Sequence, residues 1–358
     1  MRHKKFSRRE FILTGSVGTL AIATGLTFSN TAPVVSVVRI KNGRIASAVE
    51  EAIDLLGGID GVLGTKQKIM LKPNLVSPDP RCTTKPEVIR ALALMMKDAG
   101  REVCIGEGSA AAPGFNADDE GIYFTRDPEV LDPMQQYVFD QLGYSALATS
   151  LDIPLINLHT GEMVKIDVPD AFVFPELTVH RSLSDIDLLC SVPMMKTHVL
   201  ATVTLGMKNL IGLYPGKAYC TVRSCVHNDS VKKGSPGIAY EILDMVKACT
   251  PGLVVIDGST AMEGNGPSDG ELVDANLIIA GTNPLATDMV AAHIMGFDQS
   301  EVPTFVKAIE SGMRPAGLGE VEVRGEMIEN VQMAFLKPEI VPWTSVNSWF
   351  GAEEVNKS

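Results

Sequence analysis

Lys196, Thr197 and His198 follow Pro193, which closes a mostly apolar run at 186–192. Such a run reads as a buried strand. Proline ends it, because it has no N–H to give a sheet ladder. Open α/β sheets bind ligands just beyond the carboxyl ends of their strands. A lysine, a threonine and a histidine in that place suit the binding of an anion and the movement of a proton. Ten residues on, Lys208 and Asn209 repeat the cation-plus-amide pairing beside Gly206.

Other apolar runs end in the same manner. Lys72 and Asn74 close the run at 68–71, Glu107 follows the run at 103–105, and Asp257 follows the run at 253–256. Cations beside amides and glycines suit a carboxylate or phosphate. The substrate-binding candidates are therefore Lys72, Asn74, Thr197, Lys208 and Asn209. Lys196, His198 and Glu107 are the catalytic candidates, with His198 or Glu107 moving the proton. Asp257, Glu263 and Asp288 are oxygen ligands on separate loops, a pattern that suits a hard divalent cation. Each residue also has a plainer explanation. A lysine past a strand is ordinarily solvated, Asp257-Gly258 is a common turn, and Asp288 in a first helical turn is favoured by the helix dipole alone.

The elements that must position these groups alternate strand and helix. Strands are expected at 34–40, 68–71, 103–105, 155–158, 186–192, 253–256 and 275–280. Helices are expected at 45–56, 87–99, 132–142, 202–213, 238–248, 285–295 and 303–310. Thr83 and Thr84 before Pro86 make a good helix start. The residues 163–179 suggest a small antiparallel insertion, and 110–130 a loop of the kind that forms a lid or a site wall. The fold class is α/β: a mainly parallel, doubly wound sheet with helices on both faces. One domain at 33–349 is expected, with a loose polar tail at 350–358.

Residues 1–32 read as an export leader. Ser7, Arg8, Arg9, Glu10, Phe11, Ile12 and Leu13 give the twin-arginine pattern, ahead of an uncharged, moderately apolar run. The cleavage site is poorly marked, so the only membrane contact expected is through an uncleaved leader. The partner this implies is the twin-arginine export machinery, and the location a periplasmic or other exported one. The net charge is -12, although Arg2, Lys4, Lys5, Arg8 and Arg9 stand against Glu10 alone at the start. An acidic body argues against nucleic-acid binding. There is no G-x-G-x-x-G, Walker or G-x-S-x-G signature. The six cysteines include no C-x-x-C pair, which argues against a built-in iron–sulfur or zinc site. Cys220 and Cys225 flank a short loop, and an oxidising compartment would permit them to pair.

Several motifs in order resemble the domain-of-unknown-function 362 family. They are Leu71-Lys72-Pro73-Asn74-Leu75, Thr83-Thr84-Lys85-Pro86 and Gly106-Glu107-Gly108. The most distinctive is Val192-Pro193-Met194-Met195-Lys196-Thr197-His198 with Gly206-Met207-Lys208-Asn209-Leu210. Glu263-Gly264-Asn265-Gly266-Pro267 and the helix with Asp288 also look like later family motifs. Some members carry a ferredoxin-like iron–sulfur domain, which implies redox partners for those members. This chain lacks the clustered cysteines. The expectation is an exported enzyme acting on a small anionic substrate, metal-assisted or redox-linked, with the cofactor itself unidentified. The alternatives are a periplasmic anion- or cofactor-binding protein without catalysis, and an accessory protein for metal-cofactor assembly.

Overall fold

Apolar runs that do not alternate become strands where both faces of a sheet are covered. The protein, described by a computed structural model over residues 32–119 and 121–346, is built on such a sheet. Its strands are β1 (Val34–Arg39), β2 (Lys68–Pro73), β3 (Glu102–Glu107), β4 (Ala117–Asp118), β5 (Gly121–Ile122), β6 (Leu155–Asn157), β7 (Met163–Asp167) and β8 (Glu176–His180). They continue with β9 (Leu188–Val192), β10 (Met194–His198), β11 (Thr202–Thr204), β12 (Leu253–Glu263), β13 (Glu271–Val273), β14 (Leu277–Gly281) and β15 (Glu322–Gly325).

Eleven of these strands form one sheet, with the main order β15-β1-β14-β12-β9-β2-β3-β6. The row from β12 to β6 is parallel throughout. Only β14 runs against its neighbours in the main row. The hairpin β7-β8 is the small antiparallel insertion, and β4-β5 is a second, shorter one. Successive residues of one strand enter opposite cores. Val254 and Ile256 of β12 pack on one side, Leu253 and Val255 on the other. The first side is covered by the helices Ala239–Ala248, Pro284–Ile294 and Pro303–Glu310. The second is covered by Ile45–Leu55, Pro86–Asp98 and Pro128–Gln141. Full burial of one such aliphatic side chain stabilises by about 1.5–3 kcal/mol, which favours long two-sided runs over alternating ones.

The chain moves outward from β2 to β3 and β6, then returns to place β9 on the other side of β2. The winding direction reverses between β2 and β9. In open sheets the crevice at such a reversal is where ligands bind. Lys72 and Pro73 of β2 lie in register with Ser191 and Val192 of β9, at their carboxyl ends.

Three local expectations change. Residues 202–213 do not form one helix. Thr202–Thr204, β-branched throughout, pair back on β10, and a short helix, Gly206–Asn209, follows. Lys196, Thr197 and His198 lie within β10, because Pro193 separates two strands rather than ending the sheet. Thr84 does not cap the helix Pro86–Asp98; its Oγ1 donates to the Val192 carbonyl (2.6 Å) and accepts from Asn74 N (2.9 Å), tying β2 to β9. The described residues from 33 onward form one compact unit. The twin-arginine motif and the polar tail lie outside the described residues. Among those described, no helix is long and apolar enough to cross a membrane.

Candidate functional site

A cavity of about 750 Å³ opens at the carboxyl ends of β2, β3 and β10. Six of the candidate residues line it: Lys72, Asn74, Glu107, His198, Lys208 and Asn209. Gly121 and Ile122 contribute from the segment expected to form a wall.

The floor is a closed polar network. Lys72 Nζ donates to Glu107 Oε1 (2.8 Å) and Oε2 (2.9 Å), to the Pro73 carbonyl (2.9 Å) and to Asn209 Oδ1 (3.2 Å). Glu107 accepts further bonds from Leu75 N (2.9 Å) and Gly108 N (2.8 Å). Asn209 Nδ2 donates to the Lys72 carbonyl and to Ser191 Oγ, which donates to the Gly206 carbonyl. Burial lowers the Lys72 pKa, and the Glu107 charge opposes that shift. A Cβ on Gly212 would stand 2.3 Å from Glu107 Oε1 and 2.6 Å from Lys72 Nζ, so only glycine lets the chain pass over the pair. Both Glu107 oxygens are fully engaged. Glu107, expected to transfer a proton, and Lys72, expected to bind the anion, both line the cavity and are hydrogen-bonded to each other.

The walls are different. Lys208 lines the cavity, and its side chain forms no hydrogen bond or ion pair with the described residues. Burial, reinforced by Lys196, Arg223 and Lys72, lowers its pKa to about 7. His198 Nδ1 accepts from Leu200 N (3.0 Å), which leaves the proton of the neutral ring on Nε2. Burial, then Lys208, holds His198 well below the usual histidine pKa, so it stays neutral. Asn74 Oδ1 is buried without a partner among the described residues.

Three further groups were not singled out from the sequence. His227, on the helix Ser224–Lys232, lines the cavity, and its Nδ1 lies 2.8 Å from Glu241 Oε1 on the helix Ala239–Ala248. A carboxylate only accepts, so it fixes the proton on Nδ1 and leaves the Nε2 lone pair free. Glu241 Oε2 is buried and has no partner among the described residues. Arg223 lines the wall, anchored through its guanidinium to the carbonyls of Ser109, Gly108 and Gly212, with Nε lacking a partner among the described residues. Burial lowers its pKa to about 10. It sits in a strained turn. Cys220, Val222 and Arg223 have φ of 62°, 57° and 59°, a conformation that costs of order 1–3 kcal/mol for a non-glycine residue. One signal for the histidine dyad was legible: Glu241 and Asp244 interrupt the apolar face of their helix, where acids are not expected without partners.

Histidines in this protein separate by their use. His159 is buried with both nitrogens engaged, Nε2 at the Ser109 carbonyl and Nδ1 accepting from Gly216 N. His198 and His227 each leave one nitrogen without a partner among the described residues, and both face the cavity.

The remaining candidates lie elsewhere. Lys196 does not line the cavity; Nζ donates to the carbonyls of Cys82 (2.6 Å) and Pro267 (3.1 Å), and burial lowers its pKa to about 8. Thr197 Oγ1 donates to the Gly264 carbonyl (2.7 Å). The three metal candidates do not gather. Asp257 accepts from Lys85 N and from Ser259, Glu263 from Leu336 N, and Asp288 from Gly206 N and Met207 N. No group of three or more such ligands comes together among the described residues. Each of these carboxylates instead accepts from backbone N–H groups of its own surroundings.

Residues 69–293 match the family described as Domain of unknown function (DUF362), and the chain belongs to that family. It is 27% identical over 276 residues to the Thylakoid-associated protein sll1697 of Synechocystis sp. (strain ATCC 27184 / PCC 6803 / Kazusa), covering 76% of this chain and 77% of that one. Among solved structures, the lactate racemase apoprotein from Thermoanaerobacterium thermosaccharolyticum is similar with a TM-score of 0.43 and 13% identity. That match covers 75% of this chain, which spans 58% of the racemase chain.

Proposed function

We infer that this protein is an enzyme that moves a proton on a small anionic substrate, a carboxylate above all. One observation carries the reading: a single cavity holds an uncompensated lysine and two histidines whose open nitrogens have opposite character. Lys208 attracts the anion. His227 Nε2 accepts a proton, and Glu241 steadies the imidazolium that forms. His198 Nε2–H donates to the oxygen on which charge builds, which suits a ring kept neutral by its surroundings. The Asn74 amide adds orientation. An anion-binding protein without catalysis needs donors alone, and a histidine lone pair facing the anion would weaken its binding. The cavity exceeds the volume of a small carboxylate, which leaves room for a second bound group in a cofactor-linked reaction. The twin-arginine pattern at 7–13 supports action outside the cytoplasm.

The test incubates the protein in D₂O with a panel of 2-hydroxy and 2-keto carboxylates. Deuterium entry at the carbon beside the carboxylate is followed by NMR. Exchange is expected for at least one compound, and His227→Gln should slow it by roughly 10²–10⁴-fold while leaving the dissociation constant nearly unchanged. Binding without exchange would favour the binding protein. Exchange untouched by His227→Gln would remove the dyad from the chemistry.

A further inference from the structure

Beside the cavity wall lies a second reactive cluster that the proton-transfer reading does not use. Cys220 Sγ and Cys225 Sγ are 2.7 Å apart. Arg126 reaches both, Nε at 3.1 Å from Cys220 Sγ and Nη2 at 3.1 Å from Cys225 Sγ. Cys225 is partly exposed and sits in the first turn of the helix Ser224–Lys232, while Cys220 is buried. The other four cysteines have no thiol neighbour of this kind among the described residues.

We propose that Cys220 and Cys225 form a redox-active dithiol, converted to a disulfide by thiol–disulfide exchange with a small or protein disulfide. Two sulfurs already in contact, each held by the same guanidinium, need little backbone movement to join. The hydrogen bond from the Cys220 thiol, aided by Arg126, draws Cys225 below the ordinary thiol pKa. That same bond, together with burial, pushes Cys220 up. The attacking and resolving roles follow from this asymmetry. The Cys225 thiolate attacks one sulfur of the oxidant and expels the first thiolate. Cys220 then gives up its proton and attacks Cys225 Sγ, breaking the mixed disulfide and expelling the second thiolate. Two electrons and two protons pass to the oxidant, which becomes two thiols. The ring so closed contains Val222 and Arg223, both of which line the cavity. Oxidation therefore ties down the strained part of the wall. The proposal is independent of whether the cavity performs catalysis.

The sequence supplies a direct assay. Trypsin cleaves after Lys217, Arg223 and Lys232, which separates Cys220 and Cys225 onto peptides 218–223 and 224–232. The full chain is treated with oxidised glutathione, free thiols are blocked with N-ethylmaleimide, and the digest is read by mass spectrometry. The expected product is the 218–223/224–232 linked pair, with Cys82, Cys104, Cys190 and Cys249 alkylated or unreacted and in no disulfide. Dithiothreitol should release the pair. In the Cys220→Ser variant the glutathione adduct should remain on Cys225. Iodoacetamide should alkylate Cys225 with a midpoint below the ordinary value of about 8.5, and Arg126→Gln should move that midpoint upward. Amide exchange at 221–224 should slow by at least about tenfold in the oxidised protein. Recovery of both cysteines alkylated after oxidation, or of either linked elsewhere, would overturn the proposal. Unchanged amide exchange would overturn the restraint on the wall.

Discussion

The floor and the walls of one cavity solve the problem of buried charge in opposite ways. At the floor, Lys72, Glu107, Asn209 and Ser191 satisfy one another and the backbone around them. On the walls, among the described residues, Lys208 has no hydrogen-bonding partner, Asn74 Oδ1 and Arg223 Nε are orphans, and two histidines each leave a nitrogen open. A buried polar group left unmade costs free energy. Proteins tolerate that cost where a ligand completes the set. The contrast therefore sorts support from function without reference to residue type, since each region contains a lysine and an amide.

The largest effect should come from breaking the floor. Lys72→Met leaves Glu107 buried with two backbone donors and no hydrogen-bonded counter-ion, a change expected to destabilise the protein by about 3–5 kcal/mol. Denaturant unfolding would measure it. Adding Glu107→Gln to Lys72→Met should recover part of the loss, because the stranded charge is then gone. If Lys72→Met were nearly neutral, the floor would not be the brace described.

Lys208→Met should do the reverse. Removing an uncompensated charge should leave stability equal or higher, whereas the affinity for a bound carboxylate should fall by about 1.5–3 kcal/mol, the value of a charge-assisted hydrogen bond. The wild-type protein should also show this charge in its pH dependence. With its pKa lowered to about 7, Lys208 is an ammonium below that value and neutral above it. Anion affinity should be full below pH 7 and weaken by up to about tenfold per unit as pH rises past it. Stability runs the other way. Between about pH 7 and 10.5 the unfolded lysine holds a proton that the folded one has released, so stability rises with pH across that window. Calorimetric titration of the carboxylate at several pH values would check the first trend. A flat profile that persists in Lys208→Met would place the anion elsewhere.

The convergence of Lys72, Asn74, Glu107, His198, Lys208 and Asn209 was legible because strand ends in a parallel sheet share one edge. What sequence patterns miss is how each group is satisfied. Lys72 and Lys208 look alike as residues near strand ends, and only the position of Glu107 makes one a brace. Lys196 and Thr197 sit in the same motif as His198, yet neither lines the cavity, and their side chains donate to the carbonyls of Cys82, Pro267 and Gly264. The His227–Glu241 pair joins the helix expected at 238–248 to a segment where no element was expected, and its meaning depends on a contact 14 residues apart. The parallel core was easier to read. Its runs owe their composition to burial on two faces, a property written locally into every strand.

The smallest of these effects separates a structural carboxylate from a metal ligand. Asp288 accepts from Gly206 N (2.7 Å) and Met207 N (2.8 Å), the first two N–H groups of the helix that carries Lys208 and Asn209. Burial raises its pKa to about 7, opposed by those two bonds. Asp288→Asn keeps the shape but turns one acceptor into a donor facing an N–H. One backbone group is then left unmade, so a loss of about 1–3 kcal/mol is expected. The loss should appear in protein treated with a chelator as fully as in untreated protein. A variant that is unchanged in chelator but destabilised relative to wild type when divalent cation is added would restore Asp288 to the metal role that its hydrogen bonds argue against.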